Sequence, residues 1–125
     1  MKNKMYGKEL ILDLHNCDSE LFTRKIIDLY FKELCKLINM KPEQVYWWDD
    51  EGVPEEEKQT QAHTKGTTAI QFILTSNITI HTLDILKSVY INIFSCKDFD
   101  SNVAADFTEI YFRGVLKRSL TVDRL

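Results

Sequence analysis

The chain has no block of Lys and Arg. Its 16 basic residues are scattered among 19 acidic ones for a net charge of −3, which argues against a general nucleic-acid binder. Long apolar runs are missing too. Leu10 to Leu14 is short and broken by Asp13, and the opening Met1–Met5, despite two lysines, leads into no apolar stretch. Neither a signal peptide nor a membrane span is expected. There is no Cys-x-x-Cys pair. Cys17, Cys35 and Cys96 form an odd, widely spaced set, which suits reduced thiols in a cytoplasm better than a disulfide framework or a zinc site. His15 and Cys17 can share a strand face, but two ligands do not make a metal site, so no metal is expected. Internal repeats and low-complexity tracts are lacking as well.

What remains is the composition of an ordinary folded protein, 44% apolar and 28% charged over 125 residues. Residues 1–125 are expected to form a single domain. That length supports one core but is small for a self-contained enzyme cleft, so a site shared across a dimer interface is attractive on size alone. Lys8 to Leu14 reads as a strand. Asp18 or Ser19 offers a helix N-cap, followed by Phe22, Ile26, Tyr30, Leu34 and Leu37 at helical spacing. A second row, Ile27, Phe31, Cys35 and Ile38, widens the stripe as a helix covering a sheet requires. Asn39 and Pro42 end it, and Gln44 to Trp48 is strand-like. Ala69 to Leu74 and Ile78 to Leu83 are two strands or one bent strand, and Val89 to Ser95 follows. Ser101 or Asn102 caps a last helix with Val103, Phe107, Ile110 and Tyr111 on one side and Gly114 near its end. Leu116 to Val122 closes the chain. The order β-α-β-β-β-α-β has too few helices for a doubly wound sheet. The expected fold is α+β, a two-layer α/β sandwich with a mostly antiparallel sheet.

Between Asp49 and Glu57 lie six acidic residues with Gly52 and Pro54. Such a run reads first as a solvated loop and second as a flap attracting cations near a site. Beyond it, Thr75-Ser76-Asn77-Ile78-Thr79-Ile80-His81-Thr82 and then Ile93-Phe94-Ser95-Cys96 set a hydroxyl, an imidazole and a thiol around two alternating, strand-like runs. If these runs pair, Ser76, His81 and Cys96 can gather at one sheet edge as nucleophile, base and proton donor. Each has a plainer reading. Ser76-Asn77 can be a turn, His81 a strand histidine with a satisfied hydrogen bond, and Cys96 a small buried apolar residue.

The ordered set of a Ser, a His-Thr five residues on and a Cys twenty residues after the Ser resembles the prokaryotic S-adenosylmethionine decarboxylase proenzymes, as a diverged member. Leu12-Asp13-Leu14-His15-Asn16-Cys17-Asp18 is similar to the family's first strand and turn. Gly66-Thr67-Thr68-Ala69 is similar to its Gly-x-Ser-Gly segment. The resemblance implies self-cleavage between Thr75 and Ser76, giving chains 1–75 and 76–125, with Ser76 converted to the pyruvoyl cofactor. His81 is then the proton acceptor in processing. Cys96 is the proton donor in turnover, after the substrate amine has formed a Schiff base with the pyruvoyl carbonyl. Thr68 and Asp13 are supporting residues, the first for its hydroxyl near the cleavage-site carbonyl and the second for its place by the substrate. The resemblance further implies a cytoplasmic homodimer of cleaved protomers in a four-layer α-β-β-α arrangement, acting on S-adenosylmethionine in spermidine biosynthesis, without nucleic acid or membrane.

The sequence departs from the family at three places. Thr75 stands where Glu is common, and Leu83-Asp84-Ile85 follows His81-Thr82 in place of Trp-Pro-Glu. The aromatic residue upstream of Gly66 is replaced near Ala62. Unless Tyr46, Trp47 or Trp48 substitutes, adenine stacking is lost, at a cost on the order of 1–3 kcal/mol. Two alternatives follow: a pyruvoyl-dependent decarboxylase of another amino acid such as ornithine or arginine, or an uncleaved paralogue acting as a binding or regulatory subunit.

Overall fold

A computed structural model describes residues 5–125. Six strands, β1 (Gly7–His15), β2 (Pro42–Trp48), β3 (Gly66–Ile73), β4 (Ser76–Leu83), β5 (Ser88–Ser95) and β6 (Val115–Arg124), form one sheet in the order β2-β3-β4-β5-β1-β6. Every pairing is antiparallel. Two helices, α1 (Arg24–Leu37) and α2 (Ser101–Phe112), complete the α+β fold. The stretch around Ser76 is two strands rather than one bent strand, joined by the two-residue turn Leu74-Thr75 between the paired Ile73 and Ser76.

Period-two alternation sorts the sheet into two faces. Leu10, Leu12, Leu14, Ile78, Ile80, Ile91 and Ile93 are fully buried, and with Ile27, Tyr30, Phe31, Leu34 and Cys35 of α1 they make the core. Both caps differ from those expected. Asp18 caps only a short 3₁₀ turn (Ser19–Leu21), and Thr23 caps α1, its Oγ1 accepting from the Ile26 N–H at 3.2 Å. The cap of α2 is Asp100, which accepts from Asn102 and Val103. Arg113, at φ 54°, takes the left-handed position at the end of α2 beside Gly114.

Of the α2 side expected to be buried, Phe107 and Tyr111 pack against the core, while Ile110 is 76% exposed and Val103 37%. Ala104, Ala105, Thr108 and Phe112 are the helix's buried residues. Small residues let the helix approach closely, and the Thr108 hydroxyl meets the buried Tyr30 hydroxyl at 2.8 Å, which satisfies both groups.

The other face, away from the helices, is mixed and open. Tyr46, Trp48, Phe72, Leu120 and Val122 are exposed, a sizeable apolar content for a free surface. None of the helices among the described residues is long and apolar enough to cross a membrane.

Candidate active site

The structure divides the expected residues between the two ends of β4. Ser76 opens the strand, 6% exposed, and the chain arrives there through Thr75 at φ 54°. For a β-branched residue this left-handed conformation is strained, at a cost of order 1–3 kcal/mol. The turn demands it because the chain must reverse within two residues. The strain therefore sits on the residue that supplies the carbonyl to the Thr75–Ser76 bond.

Cys96 follows β5 and meets this turn. Its backbone N–H donates to Ser76 Oγ at 3.1 Å, and the Ser76 hydroxyl donates to Cys96 Sγ at 3.7 Å. Thr75 Oγ1 lies 2.9 Å from the same sulfur and 2.7 Å from the Leu74 carbonyl. These hydroxyls, Thr75 first and Ser76 second, hold the Cys96 thiol below its ordinary pKa, as donors to the charged form do. By contrast, burial pushes Cys17 and Cys35 each up to about 11. Only Cys96 combines access with a stabilised thiolate. Met40, Ile73, Leu74 and Lys97 help to line a cavity of about 340 Å³ around it.

His81 is elsewhere. Five residues along a strand span about 17 Å, and an odd offset turns the two side chains to opposite faces. Ser76 is in phase with the buried Ile78 and Ile80, whereas His81 is exposed on the open face. The three reactive groups therefore do not gather at one edge: Ser76 and Cys96 do, and His81 does not join them within this chain.

His81 has a different set of neighbours. Its Nδ1 is 3.0 Å from Thr68 Oγ1. The register runs Trp48, Thr68, His81, Tyr90, Asp13 and Arg118 straight across the sheet. Asp13 pairs with Arg118 at 3.5 Å. Trp48, His63, Thr68, His81 and Leu83 contribute to a second cavity, of about 330 Å³. Trp48, 58% exposed, thus presents its indole to the same cavity as the imidazole. Neither this row nor His63 follows from spacing, because residues from six separated strands meet only once the sheet has its order.

Past His81, the Asp84 carboxyl is held above its ordinary pKa, chiefly by burial. The acidic loop is anchored at its start. Arg24 donates Nε and Nη2 to the two Asp49 oxygens at 2.7 Å each and reaches Glu51 at 3.4 Å. Asp50 accepts from the Gln59 N–H at 2.8 Å. Among the described residues no three His, Cys, Asp or Glu side chains group as a metal site would.

The profile of the S-adenosylmethionine decarboxylase family matches residues 8–124. Among solved structures, the adenosylmethionine decarboxylase from Aquifex aeolicus VF5 superposes with a TM-score of 0.74 at 18% identity, covering 98% of this chain and 92% of that one. At that identity the superposition speaks for the fold. A search of curated protein sequences returned no match.

Proposed function

Because the chain belongs to the S-adenosylmethionine decarboxylase family, we propose that it is a self-processing, pyruvoyl-dependent decarboxylase of S-adenosylmethionine that serves spermidine synthesis in the cytoplasm. The observation that carries the reading is the meeting of Thr75, Ser76 and Cys96: a hydroxyl beside a strained peptide, with a perturbed thiol in hydrogen-bond contact. Ser76 Oγ attacks the Thr75 carbonyl and converts the peptide to an ester. His81 removes the ester's α-proton, and elimination separates residues 1–75 from 76–125, leaving Ser76 as the pyruvoyl group. That group supplies a carbonyl electron sink for the substrate's α-carbon as carbon dioxide leaves. Cys96 returns the proton to that carbon, as an accessible thiol can. Thr68 orients the His81 ring, and Asp13, in the same row, faces the substrate region.

His81 lies too far from its own Ser76 to do this. We therefore place the working site in a homodimer whose open faces meet, with His81 and Thr68 of one protomer serving Thr75, Ser76 and Cys96 of the other. Cys96 comes directly after β5, and the Tyr6 phenol that acts on its thiol belongs to a ring stacked on Phe94 of the open face, which brings the proposed cleavage edge to the border of that face. The exposed aromatics on it give two copies an apolar surface to bury. Trp48 in the His81 cavity offers stacking area in place of the aromatic residue missing near Ala62, which favours an adenosyl substrate over ornithine or arginine.

Intact mass under denaturing conditions tests the reading. The expected result is two fragments divided at Thr75–Ser76, the second blocked to Edman chemistry, with Ser76→Ala leaving one chain. A wild-type protein that stays a single chain of 14.7 kDa would sink self-processing. Carbon dioxide release from S-adenosylmethionine, set against ornithine and arginine, then assigns the substrate.

A further inference from the structure

The first processing step needs a group to take the Ser76 hydroxyl proton, and His81, which reaches Ser76 only from the other protomer, is assigned to the second step. No carboxylate and no imidazole lines the cavity at Ser76. Lys97 donates its Nζ to the Asn39 carbonyl at 2.7 Å. The Ser76 hydroxyl itself already donates to the Cys96 sulfur, at 3.7 Å.

Resting on the self-processing reading of Ser76, we propose that the Cys96 thiolate is the general base of the N→O acyl shift at the Thr75–Ser76 bond. The Ser76 proton passes to Cys96 Sγ as Oγ forms a bond to the Thr75 carbonyl carbon. The carbonyl electron pair moves onto its oxygen. Collapse of that adduct breaks the bond to the Ser76 nitrogen, which takes the proton back from the thiol and becomes a free amine. The step is an isomerisation and needs no co-reactant. The Cys96 backbone N–H, donating to Ser76 Oγ at 3.1 Å, steadies the developing alkoxide. Thr75 Oγ1 at 2.9 Å from the sulfur makes Thr75 a positioning residue for the thiolate. The Tyr6 phenol contributes to the same thiol in a lesser degree.

Hydroxylamine, which cleaves esters, reads this step apart from the elimination. In His81→Ala the ester accumulates, and saturating hydroxylamine releases a fragment that begins with an intact Ser76, scored by mass. The expected rate falls about a hundredfold when Cys96→Ala is added, within the range for a lost general base. Cys96→Ser keeps the size and hydrogen bonding but is no base, so it does not rescue, whereas a merely structural role predicts rescue. The His81→Ala rate rises with pH and levels off below the ordinary thiol pKa, and this inflection vanishes with Cys96. Equal trapping with and without Cys96, or rescue by Ser, overturns the proposal while self-cleavage stands. A His81→Ala protein that traps no ester while the wild type cuts assigns the base to His81 and overturns it too. A wild type that neither cuts nor traps removes the underlying reading, and the proposal with it.

Discussion

Thr75 concentrates what is unusual about this chain at one residue. Its left-handed backbone loads the Thr75–Ser76 bond with strain, and its hydroxyl touches the Cys96 thiol that the neighbouring Ser76 hydroxyl also contacts. Glycine adopts such a backbone freely. In an uncleavable Ser76→Ala background, Thr75→Gly is expected to stabilise the precursor by about 1 kcal/mol, the relieved strain being partly offset by glycine's unfolded-state entropy. Urea unfolding at unchanged slope checks this. With Ser76 restored, the same change should slow cleavage. The candidate reactive residues were legible in the order Ser, His-Thr, Cys. Their grouping was half legible, since an odd offset on one continuous strand already sets Ser76 and His81 on opposite faces. The left-handed Thr75 was not, because Thr has no intrinsic preference for it and only hairpin closure imposes it.

At the scale of elements, strands were clear where alternation was strict, as in β1, β4 and β5. Helix ends were not, since several Ser, Thr and Asp residues compete to cap and only the entry angle of the chain chooses Thr23 and Asp100. The face of α2 was legible in part: Phe107 and Tyr111 pack against the core, whereas Ile110 is exposed and Ala104, Ala105, Phe112 and the Thr108 that meets Tyr30 take the buried side. Tyr30 is fully buried. Tyr30→Phe leaves Thr108 its bond to the Ala104 carbonyl at 2.8 Å, so it is expected to cost about 1 kcal/mol. A loss near zero would mean that the ring's packing, not the hydroxyl, holds the helices together. Equilibrium unfolding of the two proteins separates these cases.

The whole molecule presents one finished face and one unfinished one. The helices close the first, while the second keeps exposed rings and the His81 row. If each site draws His81 from the other protomer, two dead variants should complement. Co-expressed Ser76→Ala and His81→Ala chains are expected to yield cleaved His81→Ala chain, which neither variant produces alone. Mass spectrometry of the mixed dimer reads it directly. An absence of cleavage in an isolated mixed dimer would place the site within one protomer and refute the shared arrangement.

The family, the alternating strands and the reactive residue types are written along the chain, because they depend on composition, periodicity and local order. The partners of those residues are not. Ser76 meets Cys96 and His81 meets Thr68 because strand order and register carry side chains from distant segments into one row, and the same 3.3 Å rise per residue that builds the strand keeps His81 about 17 Å from Ser76. Only the folded sheet makes that separation physical.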